Sequence, residues 1–256
     1  MWKRSDLKER AKAALRKDYW KAFLISLVIA FAMGGTGSSS AGGGSSYRLD
    51  KDSDKLFQGG FDFNVDWSVL IPILAVASFI ILVVILFGLA LRVFIGYPLE
   101  VGGRRYYIKT VQEQDNRLCF TFAFQSKNYL KIVLSMLLRD VQLFLWFLLL
   151  VIPGIIKSYE YRMVPYILAE NPGIGAQQAI QLSRRMTAGS KFSMFVLDLS
   201  FLGWILLGLL ACFVGIFFVQ PYVDMTMAEL YVDLRRSALE KGHGTPTDYA
   251  METAVQ

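Results

Sequence analysis

The sequence predicts an all-α, polytopic membrane bundle of six helices with both termini cytoplasmic. Three observations carry that reading: one long uncharged run, an apolar composition and an uneven distribution of basic residues. Residues 69–95 form a 27-residue stretch whose single charge, Arg92, stands near its end. About 20 consecutive apolar residues already cross the hydrocarbon core as a helix. Hydrophobic residues make up 54% of the chain and charged residues only 19%, against roughly 25% in soluble domains. With a mean hydropathy of +0.41, an ordinary soluble domain is excluded. The formal charge of +6 points to anionic partners, and in a membrane protein these are phospholipid headgroups rather than nucleic acid.

Residues 1–18 read as a cytoplasmic amphipathic helix. Lys3, Arg4, Lys8, Arg10, Lys12, Arg16 and Lys17 outnumber Asp6, Glu9 and Asp18, while Leu7, Ala11, Ala14 and Leu15 recur at helical spacing. The first membrane helix follows over 19–33. It is short, and Tyr19-Trp20 provide its headgroup anchors. A cleaved signal peptide ending near Ala30-Phe31-Ala32 competes with this reading, but the leading segment is long and contains acids. The Gly/Ser tract and scattered aspartates of 34–68 predict a flexible outer loop. The second helix is 69–95, and a polar stretch with Arg104, Arg105 and Lys109 comes after it.

The third and fourth helices, 130–152 and 155–169, form a hairpin whose bend is assigned to Pro153 and Gly154, since proline and glycine both end helices. An interfacial placement of 155–169 is the alternative. A turn at Asn171-Pro172-Gly173 leads into a cytoplasmic amphipathic segment, 174–188. The apolar stretch from Phe192 onward is too long for one span and divides into 191–210 and 213–231, with a cytoplasmic tail over 232–256. Basic residues set the orientation. Segments 1–21, 92–131, 170–191 and 224–256 hold eight, seven, three and three of the 27 Lys and Arg, and only six helices place all four inside.

The residues Leu145-Trp146, Ile152-Pro153-Gly154-Ile155-Ile156-Lys157, Tyr161-Arg162-Met163, Tyr166-Ile167-Leu168-Ala169 and Asn171-Pro172 form a recognisable pattern. It continues through Ala179-Ile180, Ser183, Met186, Gly189, Leu199-Ser200-Phe201, Gly203-Trp204 and Pro221-Tyr222. This resembles the bacterial integral membrane family catalogued as number 975 among domains of unknown function, over about residues 143–231. The resemblance implies a multi-pass protein of the bacterial cytoplasmic membrane and brings no catalytic residues with it.

Charges inside spans are expensive and mark candidate sites. Asp198 stands out, with Arg139, Arg162 and Asp224 as further members of an intramembrane polar network. One reading makes Asp198 an ion- or proton-linked site. The other pairs it structurally with Arg139 or Arg162. The doublets Tyr97-Pro98, Pro165-Tyr166 and Pro221-Tyr222 raise the idea of repeated hairpins, although two residues are a short match. Gly203, Gly208 and Ala211 suit close helix packing.

No phosphate loop, metal motif or nucleophile elbow occurs. His243, the one histidine, lies between glycines in the tail, and Cys119 and Cys212 match no metal or redox spacing. The expectation is a non-enzymatic protein without cofactor or metal, supporting envelope homeostasis or associating with membrane proteins. A small-solute or ion transporter using Asp198 and the proline-interrupted helices is the alternative.

Overall fold

The computed structural model describes residues 3–32, 67–115, 119–125, 127, 129–210 and 214–249. Most of the outer loop expected over 34–68, and the turn expected near residue 211, lie outside them. The regular structure of the described residues is all helical, with no strand among them. The chain divides into two units, Met1–Gly35 with Arg92–Gln256, and Thr36–Leu91.

The second unit contributes α2 (Trp67–Leu91), 25 residues without a charge. At 1.5 Å per residue it is about 37 Å long, more than a hydrocarbon core requires. Pro72 falls inside the helix, past its first turn, so one bond of the backbone ladder is absent there.

The first unit begins with α1 (Arg4–Ala32), one unbroken helix. The sequence divides this stretch after residue 18 into a cytoplasmic and a membrane segment, and the backbone passes that point without a break. The reason is a single buried stripe, Leu7, Ala11, Leu15, Ala22, Ile25 and Ile29, which repeats at helical spacing across both halves. A π turn at Arg92–Gly96 leads into α3 (Tyr97–Val111), and α4 (Cys119–Gln125) follows. Neither α3 nor α4 was expected in what reads as a polar stretch. Pro98 stands in the first turn of α3, a position that suits its fixed φ.

Next come α5 (Tyr129–Leu149) and α6 (Val151–Glu160). The break between them falls at Leu150, which is extended at φ −159°, ψ 140°. This moves the hairpin bend away from Pro153 and Gly154. Those two residues lie within the first turns of α6, where proline needs no N–H partner. Gly154 lets the helices close: a Cβ there would stand 2.6 Å from the Phe147 ring. The fourth helix expected over 155–169 is divided as well, between α6 and α7 (Val164–Glu170).

The amphipathic segment expected over 174–188 is α8 (Ala176–Thr187), and α9 (Lys191–Leu210) has the bounds the sequence suggested. The chain bends by 82° between these two helices. The last long helix, α10 (Val214–Glu240), runs nine residues past its expected end. It is central: Met225, Met227, Ala228, Leu230 and Tyr231 are all buried. Helices α1, α3 and α9 pack against it. The expected tail is partly ordered too, for Tyr249 is 1% exposed and Asn171 donates to the Asp248 carbonyl at 3.2 Å.

On α5, Leu130, Leu134, Leu137, Val141, Leu145 and Leu148 are exposed while Ile132, Val133 and Met136 are buried. An outward stripe of that kind, on a helix about 31 Å long, suits contact with lipid. By length and composition two helical runs can cross a membrane, Leu74–Val111 and Tyr129–Leu149, and a third if the bent pair α8 and α9 forms one span.

Candidate functional site

Helix α3 carries Glu100, Arg104 and Tyr107 at offsets of four and three, so all three project from one face. That face meets α1, α5, α7 and α10. Arg104 forms an ion pair with Asp224 of α10 at 2.8 Å. The other Asp224 oxygen accepts from Ser26 of α1 at 2.7 Å, and the Tyr107 hydroxyl stands 2.5 Å from Ser26 Oγ. Asp224 thus joins α1, α3 and α10 at one buried point. The Arg104 guanidinium also lies over the Tyr166 ring at 5.2 Å.

A second pair lies on α5. Arg139 reaches Asp140 at 2.7 Å and Glu100 at 3.7 Å, and Tyr97 donates to the other Asp140 oxygen at 2.8 Å. Arg162, in the turn between α6 and α7, contacts Asp198 of α9 at 2.5 Å. Tyr159 donates to the same Asp198 oxygen at 3.0 Å. Of the two partners the sequence allowed for Asp198, the structure brings it Arg162.

Glu100, Arg104, Arg139, Arg162 and Asp224 line a common cavity of about 280 Å³. Three of the four residues proposed from sequence therefore meet there. Asp198 stands behind Arg162, outside the lining. Glu100 and Arg104 were missed, although Glu100, Arg104 and Tyr107 already show helical spacing in the sequence. Pro153 and Gly154 are not among the lining residues.

Three proline–tyrosine doublets do not occupy equivalent places. Pro98 and Pro165 stand in the first turns of α3 and α7, whereas Pro221 is inside α10. Gly208 does serve close packing, with its Cα 2.6 Å from a Cβ built at Gly215, but Gly203 has nothing within 4 Å.

Away from this cavity, Glu160 gathers Lys157, Lys191 and Arg184 at 2.6, 2.6 and 3.2 Å. Arg10 of α1 binds Glu229 at 3.2 Å and Asp233 at 2.5 Å on α10. Lys8 donates to Ser200 at 2.7 Å. Part of the basic face of α1 is thus turned toward protein. Glu170 is held by Arg235 and by the Tyr231 hydroxyl. Burial raises its carboxyl above the ordinary value, and the Arg235 charge opposes that rise. Among the described residues no group of His, Cys, Asp or Glu is placed to hold a metal ion.

No curated protein and no solved structure matches the chain. A family model does match part of it, over the segment that supplies Arg162, Asp198 and Asp224 but not Glu100, Arg104 or Arg139. Residues 143–238 match the family described as protein of unknown function (DUF975).

Proposed function

We propose that this is a multi-pass protein of the bacterial cytoplasmic membrane, with no reaction of its own, that supports envelope homeostasis or associates with other membrane proteins. Six membrane helices with cytoplasmic termini remain the proposed topology. The observation that carries the functional reading is the closure of its interior charges. Asp198 meets Arg162, Asp224 meets Arg104, and Glu100 faces Arg139. Paired ions of this kind fix helix register, and none of these three carboxylates is left free to carry a proton or cation. The outward apolar faces of α5 and α9 supply surface for lipid or for a membrane partner.

The test is complementation in cells depleted of the protein, scored by leakage of a periplasmic reporter. A variant carrying Arg162→Met with Asp198→Leu should fold and restore the barrier as the wild type does. Failure of this well-folded variant to restore it would count against a purely structural pair.

A transporter or channel is the second reading, favoured by the arginine-rich cavity of about 280 Å³. On that reading Asp198→Asn leaves the protein folded and abolishes a flux in proteoliposomes.

A further inference from the structure

A second, larger cavity opens where the C-terminal half of α3, the end of α7 and the last turns of α10 converge. It measures about 670 Å³ and is lined by Arg105, Lys109, Arg235 and Arg236, with Glu170 as the one acidic lining residue. Ligand pockets run from roughly 300 to 1,000 Å³. Glu170 does not neutralise the set. One of its oxygens is taken by Arg235 and the other accepts from Tyr231 at 2.6 Å.

Arg105 is held in place by neutral groups. Its Nη1 donates to the Ala169 carbonyl at 2.5 Å, and its guanidinium plane lies 3.6 Å from the Phe122 ring centre. Lys109 Nζ donates to the Asp115 carbonyl at 3.0 Å, again a neutral acceptor. The buried Tyr249 hydroxyl, which has no hydrogen-bond partner among the described residues, belongs to a lining residue of the same cavity. Basic residues that only set topology need exposure to the cytoplasmic side, not convergence on one concavity. Like charges held together favour an anion between them, and the planar guanidinium fork matches phosphate oxygens.

We infer that this cavity binds a phosphoryl group, held by Arg105, Lys109 and Arg236. That chemistry is shared by the headgroup of an anionic phospholipid and by a soluble phosphorylated solute. The experiment separates the two. Protein in neutral detergent is titrated calorimetrically with inorganic pyrophosphate at fixed ionic strength. In parallel, phosphatidic acid retention is measured in phosphatidylcholine nanodiscs doped with it.

Both are repeated with Lys109→Gln combined with Arg236→Gln, after checking that the unfolding midpoint is unchanged. Saturable pyrophosphate binding, weakened about tenfold or more in the variant, assigns a soluble phosphate. Phosphatidic acid retention lost in the variant, without pyrophosphate binding, assigns a headgroup. Acylation of Lys109 in the wild-type protein, slowed by whichever probe binds, provides the same reading without a substitution. Equal binding by wild type and variant, or no binding of either probe, overturns the proposal.

Discussion

Arg104 and Asp224 form a buried ion pair at 2.8 Å, their side chains 12% and 3% exposed, that joins α3 to α10. Removing one partner of such a pair leaves a charge without compensation, which costs about 3–5 kcal/mol. Asp224→Asn should therefore lose about that much stability in a denaturation series in detergent. Arg104→Met with Asp224→Leu should recover most of it. A single variant as stable as the wild type would contradict this account of the interior.

Asp198 and Arg162 are each 30% exposed at the side chain, so their pair is less enclosed. Asp198→Asn should lower stability by about 1 kcal/mol, clearly less than Asp224→Asn. The ordering of the two losses is the measurement, and a reversed order would place Asp198 in a drier setting than its surroundings here indicate.

Glycine substitutions should divide sharply by position. A Cβ at Gly102 would meet the Cys119 carbonyl oxygen at 3.0 Å and Phe120 Cα at 3.2 Å, both backbone atoms of α4 that cannot rotate away. Gly102→Ala should cost about 1–3 kcal/mol by overpacking. Gly203 faces open space inside α9, so Gly203→Ala should be neutral or stabilising by about 0.5–1 kcal/mol. Thermal unfolding of the two variants side by side decides it.

The C-terminal turn should loosen in acid. Asp248 accepts from the Thr245 amide and hydroxyl, each at 2.8 Å, and from Gln178 at 2.9 Å. Together these hold its carboxyl below the ordinary value, the Thr245 amide contributing most. A carboxyl lowered in the folded state stabilises the turn above its unfolded value, and the contribution is lost as pH falls through the folded one. Hydrogen exchange at Thr245, corrected for intrinsic rate, should accelerate over that range. In Asp248→Asn the exchange should already be fast at neutral pH.

Topology is checked by labelling single cysteines in intact cells. Thr245→Cys should react only after permeabilisation, and Ser39→Cys, in the outer loop expected from sequence, should react from outside. External labelling at position 245 would remove the six-helix arrangement.

Which parts of this were legible in the sequence follows from where the signal lay. Helix α9 was readable because its apolar run begins abruptly after Lys191, and Asp198 was visible because it is the one charge within that run. Helix α3 was not. Its inward face carries Glu100 and Arg104, so its composition resembles a loop until their partners on α5 and α10 are known. Leu150 gave no sign either, being one apolar residue among five from Leu148 to Ile152. The bend there falls just after Leu149, the residue whose carbonyl Pro153 cannot serve and whose place its ring crowds, so the cause stands four residues beyond the effect. In α1 the composition changes at residue 18 while the buried periodicity continues through it, so two segments of different character share one helix.

The Ser26–Asp224 hydrogen bond spans 198 residues of chain, and this has a consequence in time. At a synthesis rate of roughly 5–20 residues per second, α1 waits about 10–40 s for its partner helix to be made. Until then Ser26, Lys8 and Arg10 have neither α9 nor α10 to bind, and the apolar half of α1 is short for a helix that must insert alone. Insertion of the first helix should consequently be a late event, governed by arrival of the last. In chains stopped before residue 224, a Leu24→Cys substitution should leave α1 open to a membrane-impermeant thiol reagent, whereas in the full chain the same position should be protected.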